Sequence, residues 1–209
     1  MSRRRTKAGR RAKRGAGSGG KRASIALVQD GGPPRIGISA CLLGQEVRHD
    51  GGHKRDRLLV ELLGPLVEWV PVCPEVEMGM GVPRESVRLL RRGGDLRMVA
   101  ERSGTDHTDA MRAFSAWRVA ELARLDLCGY VFKQGSPSCG AEGVPIHGAQ
   151  GSPGDTGRGL FAAALIEALP DLPVEEEGRL HDPALRERFL ERAFAYRRLR
   201  APFAGRGAT

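Results

Sequence analysis

The chain has 209 residues, a formal net charge of +9 and four cysteines. That length gives one domain of ordinary size with room for a real core, so disulfides are not needed to hold it together. No apolar run approaches the roughly 20 residues a bilayer span requires, and the start lacks the apolar middle of a signal peptide. The chain therefore reads as cytoplasmic, with no membrane partner and with reduced thiols available for metal or catalysis.

The charge is unevenly spread. Residues 1–22 hold ten of the 34 Lys/Arg and no acid, which leaves 24 basic against 25 acidic residues in the rest. With several glycines and no large apolar residue after Met1, residues 1–22 bury nothing, and residues 1–32 are expected to form a disordered basic arm. Such an arm is either an electrostatic contact for RNA or DNA, or a solubilising extension or start-site artefact. It offers no aromatic for base stacking.

From Arg35 on, short apolar runs alternate with longer helical ones. RIGISA (35–40) reads as a strand leading into a loop with Cys41. Residues 58–68 read as a helix kinked or ended near Gly64-Pro65, and WVPVC (69–73) as a strand closed by Cys73. Residues 87–99 are a plausible hairpin around Gly93-Gly94. Residues 108–125 form the clearest helix, with Thr108 or His107 near its cap and Met111, Phe114, Trp117 and Ala120 as its buried stripe. CGYVFKQ (128–134) is a strand, 159–169 a helix and LPVEEE (172–177) a short strand. Residues 182–200 are an amphipathic helix opened by Asp182 and Pro183.

Strands separated by helices predict an α/β fold, a mostly parallel sheet flanked by helices, with ligands at the carboxyl ends of the strands. Cys41 and Cys139 follow strands and Cys73 closes one, so three thiols far apart in sequence are expected on one rim. Cys128 starts a strand and reads as a small buried residue. The gaps of 32 and 66 residues are not those of paired zinc ligands. His49 and His53 are further candidates for nitrogen ligands, although a solvated loop is the commoner place for such histidines. A lone nucleophilic Cys139 leaves Cys41 and Cys73 unexplained. An iron–sulfur cluster normally takes four cysteines, so three would leave one iron open.

SACLLGQEVRHDGG (39–52), VCPEVEMGMGVPRES (72–86) and KQGSPSCG (133–140) resemble the three signature blocks of the bacterial thiouracil and 4-thiouridine desulfidases. The resemblance implies a [4Fe-4S] cluster held by Cys41, Cys73 and Cys139 with one open iron. It implies a reaction that exchanges the sulfur of a thiolated uracil or uridine for oxygen and releases hydrogen sulfide. Glu75 is then the expected carboxylate for proton transfer, read otherwise as a loop partner of Arg84, and Ser136 the expected relay or hydrogen-bond donor to substrate. Ser39 and Asp50 are expected to orient a ligand or touch the pyrimidine, or else to be turn and cap residues. Lys133 and the turn of Gly157 and Gly159 before a helix are weaker candidates for a phosphate or other anion.

Residues 175–199 are similar to the segment that, in the longer tRNA-acting members, closes this domain and leads into a second one. The sequence ends at Thr209 without that second domain, which makes the basic arm the candidate contact for a thiolated tRNA. The expected organisation is thus an arm at 1–32, a desulfidase domain at 33–180, and a C-terminal helix and tail at 181–209. The competing class is a nucleic-acid-binding protein without catalysis, carrying a structural metal site.

Overall fold

In the computed structural model, which describes residues 32–148 and 153–200, Ile36 and Ile38 are fully buried in a strand of only five residues, β1 (Arg35–Ser39). A strand apolar on successive positions is buried on both faces, which is the habit of a parallel sheet. β1 lies between β2 (Glu68–Val72) and β5 (Gly129–Phe132), and β5 pairs on its far side with β8 (Val174–Glu176). All three pairings are parallel. Both faces are covered. Tyr130 and Phe132 point into a core shared with α2 (Thr108–Ala123) and α3 (Leu160–Ala168). Val131, Ile36 and Ile38 meet Leu59, Leu63, Phe189 and Ala193 on the other face. Phe189 and Ala193 belong to α4 (Pro183–Arg200), so this last helix is part of the core. Glycine is required at position 37, where a Cβ would enter the ring of Tyr130.

The expectation of a mostly parallel sheet flanked by helices is met by this first sheet. A second sheet, in the order β4-β3-β6-β7, was only half anticipated. Its hairpin β3 (Val87–Arg92) and β4 (Asp95–Ala100) turns at Gly93-Gly94 as expected. β6 (Val144–His147) and β7 (Pro153–Gly157) went unread. Each is short and carries a proline, which in a lone sequence demotes a run from strand to loop.

The stripe assigned to α2 needs correction. A repeat of three advances about 300°, so it drifts by roughly 60° per step and leaves the face within a few steps. The buried positions are Met111, Ser115, Val119 and Leu122, at spacings of three and four, while Trp117 is 58% exposed and Ala120 is exposed too. His107 stands at the N-cap of α2 and Thr108 opens the helix, as expected, but the side chain that accepts from the Thr108 amide is that of Asp106, through Oδ1 at 2.9 Å. Buried Thr108 instead accepts from the Met98 amide through Oγ1 at 2.8 Å. Residues 58–68 contain one wide turn (Leu58–Leu63) and a 3-10 turn (Gly64–Leu66), broken at Gly64-Pro65 as expected. Asp182 caps α4 as expected, its Oδ1 accepting from the amides of Ala184 at 2.8 Å and Leu185 at 3.1 Å.

Residues 1–31 of the basic arm and 201–209 of the tail lie outside the described residues. Among the described residues, no helix is long and apolar enough to cross a membrane.

Candidate active site

Because β2, β1 and β5 are neighbours and parallel, their carboxyl ends emerge side by side. Cys41 sits in the 3-10 turn Ala40–Leu43 that follows β1. Cys73 is the N-cap of α1 (Pro74–Glu77), directly after β2. Cys139 lies in the loop after β5. All three line one cavity of about 470 Å³, together with Ser39, Glu75, Lys133, Ser136 and Ser138. The opposite wall comes from the second sheet and its edges, through Ser86, Arg88, Glu101 and His147, none of which the sequence reading had placed there. His49 also lines the cavity. Cys128 is not among the lining residues; it is buried, its Sγ donating to the Asp126 carbonyl at 3.5 Å.

The three thiols feel one another. Burial, and next the proximity of Cys73, push Cys41 up to about 11. Burial also raises Cys73, with Glu75 adding to it. Cys139 is raised furthest, by burial, then by Cys73 and Glu75, with the Ser138 and Ser39 hydroxyls pulling slightly back. A site that penalises each thiolate through its neighbours and through lost water is one that a bound cation relieves. Yet among the described residues no three His, Cys, Asp or Glu side chains are grouped to hold a single metal ion.

The GSPSCG turn is rigid for reasons legible bond by bond. Ser136 Oγ accepts from the Cys139 amide at 3.1 Å and the Ser138 amide at 3.4 Å, and its carbonyl accepts from Gly140 at 2.8 Å. The free amides at the start of α3 are consumed by this turn: Leu160 donates to the Pro137 carbonyl, and Phe161 and Ala162 to that of Ser138, each at 3.1 Å. Those amides are therefore not open to an anion, contrary to the expectation for the Gly157 and Gly159 turn. Gly159 serves a close approach, since a Cβ there would lie 2.5 Å from the Ser138 carbonyl carbon and oxygen.

The end of β8 braces the turn from both sides. Glu176, only 6% exposed, accepts through Oε1 from the amides of Ala141 at 2.9 Å and Glu142 at 3.2 Å. Glu177 accepts from the Gln134 amide at 2.6 Å and pairs with Lys133 Nζ. Lys133 is thus committed to Glu177 and to the Gln134 carbonyl. In sequence, EEE looks like a solvated charge run, and only the pairing of β8 with β5 turns it inward.

Glu75 stands in the first turn of α1, not in a loop, and it does pair with Arg84. Arg84 donates to Glu75 Oε2 from Nε at 2.9 Å and Nη2 at 2.5 Å, and the pair is almost closed to solvent, at 6% and 13% exposure. The other carboxylate oxygen, Oε1, accepts from Ser138 Oγ at 2.7 Å. Ser138, missed by sequence reasoning although it lies inside the quoted turn, also contacts Ser136 Oγ at 3.1 Å and Cys139 Sγ at 3.7 Å. Ser39 is buried in the cavity wall, where its Oγ accepts from the Lys133 amide at 2.9 Å. Asp50 is not among the lining residues. It accepts from the Gly52 amide at 3.0 Å and from Arg48 at 3.4 Å, and those two bonds, the amide first, hold its carboxyl below the usual range.

Three thiols thus stand at adjacent strand ends of an α/β domain, on one cavity with a shielded carboxylate. Residues 36–177 match the profile of the 2-thiouracil desulfurase family, and the chain belongs to that family. YbbK, an uncharacterized protein of Bacillus subtilis (strain 168), is 29% identical over 136 residues, covering 63% of this chain and 89% of that one. The solved structure of the [4Fe-4S]-dependent thiouracil desulfidase TudS aligns with a TM-score of 0.58 at 31% identity, over 74% of this chain and 98% of that one.

Proposed function

We propose that the protein is a desulfidase that replaces the thiocarbonyl sulfur of a thiolated uracil or uridine by oxygen and releases hydrogen sulfide. The observation that carries the reading is the meeting of Cys41, Cys73 and Cys139 on one cavity wall beside Glu75. The donor set fits a [4Fe-4S] cluster. It offers three soft thiols on one cavity, each costly to ionise until a cation arrives. Cys41, Cys73 and Cys139 would hold the cluster. When bound, the cluster would supply a Lewis acid that prefers sulfur to oxygen.

The chain's own residues handle the rest. Glu75 takes a proton from the attacking water as the new C–O bond forms, and its Arg84 partner holds the carboxylate in place. Ser136 lines the cavity and gives a proton to the sulfur as the C–S bond breaks. Ser39 holds the end of β5 by its bond to Lys133, and Asp50 shapes the loop carrying Arg48, which lines the cavity. Residues 1–32 act as an appendage that contacts a thiolated RNA and takes no part in turnover of a free base.

The test is anaerobic. The protein is reconstituted with iron and sulfide and given 2-thiouracil, 4-thiouridine and 4-thiouridine-containing tRNA separately, following loss of thiocarbonyl absorbance and release of sulfide. A brown protein that turns over at least one of them, and loses this in Cys41→Ala, Cys73→Ala and Cys139→Ala, supports the reading. A colourless protein that consumes none overturns it and favours a nucleic-acid-binding role for the arm. Deleting residues 1–31 leaves thiouracil turnover intact if the arm serves only RNA.

A further inference from the structure

The hydrogen bonds around Glu75 assign a role to a residue that neither the sequence blocks nor the reaction scheme above uses. A carboxylate has about four lone-pair positions. Arg84 fills both on Oε2, through Nε and Nη2. Ser138 fills one on Oε1. A single acceptor position remains, on Oε1, and the cavity that Glu75 lines is where a water would use it. The Ser138 hydroxyl has one proton and two acceptors in reach, Glu75 Oε1 at 2.7 Å and Cys139 Sγ at 3.7 Å; given to the nearer carboxylate, it leaves the bond between the two serines running from Ser136 to Ser138. At 1% exposure, Ser138 has no solvent to exchange with.

We propose that Ser138 is the positioning and relay residue that joins Glu75 to Ser136. The proposal rests on the desulfidase reading and on this chain of oxygens, 2.7 Å and 3.1 Å apart. In the resting state the bonds point from Ser136 through Ser138 to Glu75. When Glu75 accepts the water proton at Oε1, the direction reverses: Oε1 gives a proton to Ser138, Ser138 gives its own to Ser136, and Ser136 gives its own to the departing sulfur. The C=S bond and both O–H bonds of the water break and a C=O bond forms; one water proton reaches the sulfur through the relay to make the S–H bond, the second passes to solvent, and all three residues end with as many protons as they began with. No external acid or base is needed for this proton, which explains how a carboxylate sealed by Arg84 can still serve two reacting atoms.

The experiment compares wild type, Ser138→Ala and Ser138→Thr, all reconstituted and matched for iron, sulfide and visible absorbance, on whichever thiolated pyrimidine the wild type consumes. Ser138→Ala is expected to lose about 10²-fold or more in kcat with KM little changed, and Ser138→Thr to keep most of the rate. In mixtures of light and heavy water the wild-type rate should bend with deuterium fraction, because several protons move, and the Ser138→Ala rate should fall linearly. A second readout needs no cluster. In the metal-free protein the infrared carboxylate band of Glu75, identified by its loss in Glu75→Gln, should shift in Ser138→Ala and not in Ser138→Thr. A wild type without activity removes the underlying reading. An active wild type whose Ser138→Ala variant keeps its rate within about threefold, or whose Glu75 band does not move, overturns the relay alone.

Discussion

Glu176→Ala tests whether the strand β8 holds the cysteine turn in place. Glu176 is nearly closed to solvent, and one of its oxygens takes the amides of Ala141 and Glu142, the second and third residues after Cys139. Removing it strands two amide donors. A hydrogen bond to a charged group contributes about 1.5–3 kcal/mol, and here the second is longer and only partly buried, so the pair is taken as about 3 kcal/mol. A domain stable by about 5–15 kcal/mol feels that loss strongly. With a urea slope of about 2 kcal/mol per molar, the unfolding midpoint should fall by about 1.5 M, and Glu176→Gln, which keeps an acceptor oxygen but not the charge, by about half as much. The assay is equilibrium urea unfolding of the metal-free protein, followed by iron content after reconstitution, which should fall in step as the turn loosens. A midpoint shift below about 0.5 M for Glu176→Ala, or equal shifts for both variants, would show that the amides find other partners and that the bracing argument is wrong.

Three further outcomes are expected. Gly159→Ala forces a methyl to 2.5 Å from the Ser138 carbonyl and should cost about 1–3 kcal/mol with slower cluster uptake, whereas Gly154→Ala meets open space and should be nearly silent; thermal unfolding distinguishes them. Arg84→Ala leaves the Glu75 carboxylate shielded and unpaired, and urea unfolding should report a loss of about 3–5 kcal/mol, with Arg84→Lys recovering part of it. The metal-free protein should lose stability in alkali. The folded state raises the Cys41 thiol from 9.0 to about 11, so above pH 9 the unfolded chain gives up that proton first and is favoured, the loss growing until about pH 11. Cys73 and Cys139, both raised, add to it in the same direction, while the loaded protein, its thiols already ionised, should show a flatter profile. Melting temperatures from pH 8 to 11 on both forms check the sign.

The cysteines were legible because each follows or closes a short apolar run, and in a parallel sheet such runs end on the same side. Glu75 and Ser136 were singled out chiefly by the family resemblance, and both line the cavity with the cysteines. What could not be read depended on pairing between distant segments. β6 and β7 are too short for alternation to register, yet β6 lines the cavity together with β3. Glu176 and Glu177 look solvated until β8 pairs with β5. Ser138 stood in plain sight, but its role appears only when α1 brings Glu75 against it. Asp50 lies next to His49, a lining residue, and still does not line the cavity, because its carboxylate is turned to its own loop.

The order in which the strands leave the ribosome gives the site a timetable. Cys41, Cys73 and Cys139 follow β1, β2 and β5, and the carboxylates that steady the third of them, Glu176 and Glu177, stand at the end of β8, the last strand in chain order among the described residues. A partly synthesised chain can offer one or two thiols but never the braced set of three. On the proposed function, iron and sulfide would then load a finished protein, and a chain truncated before β8 should emerge without a cluster however much iron is supplied.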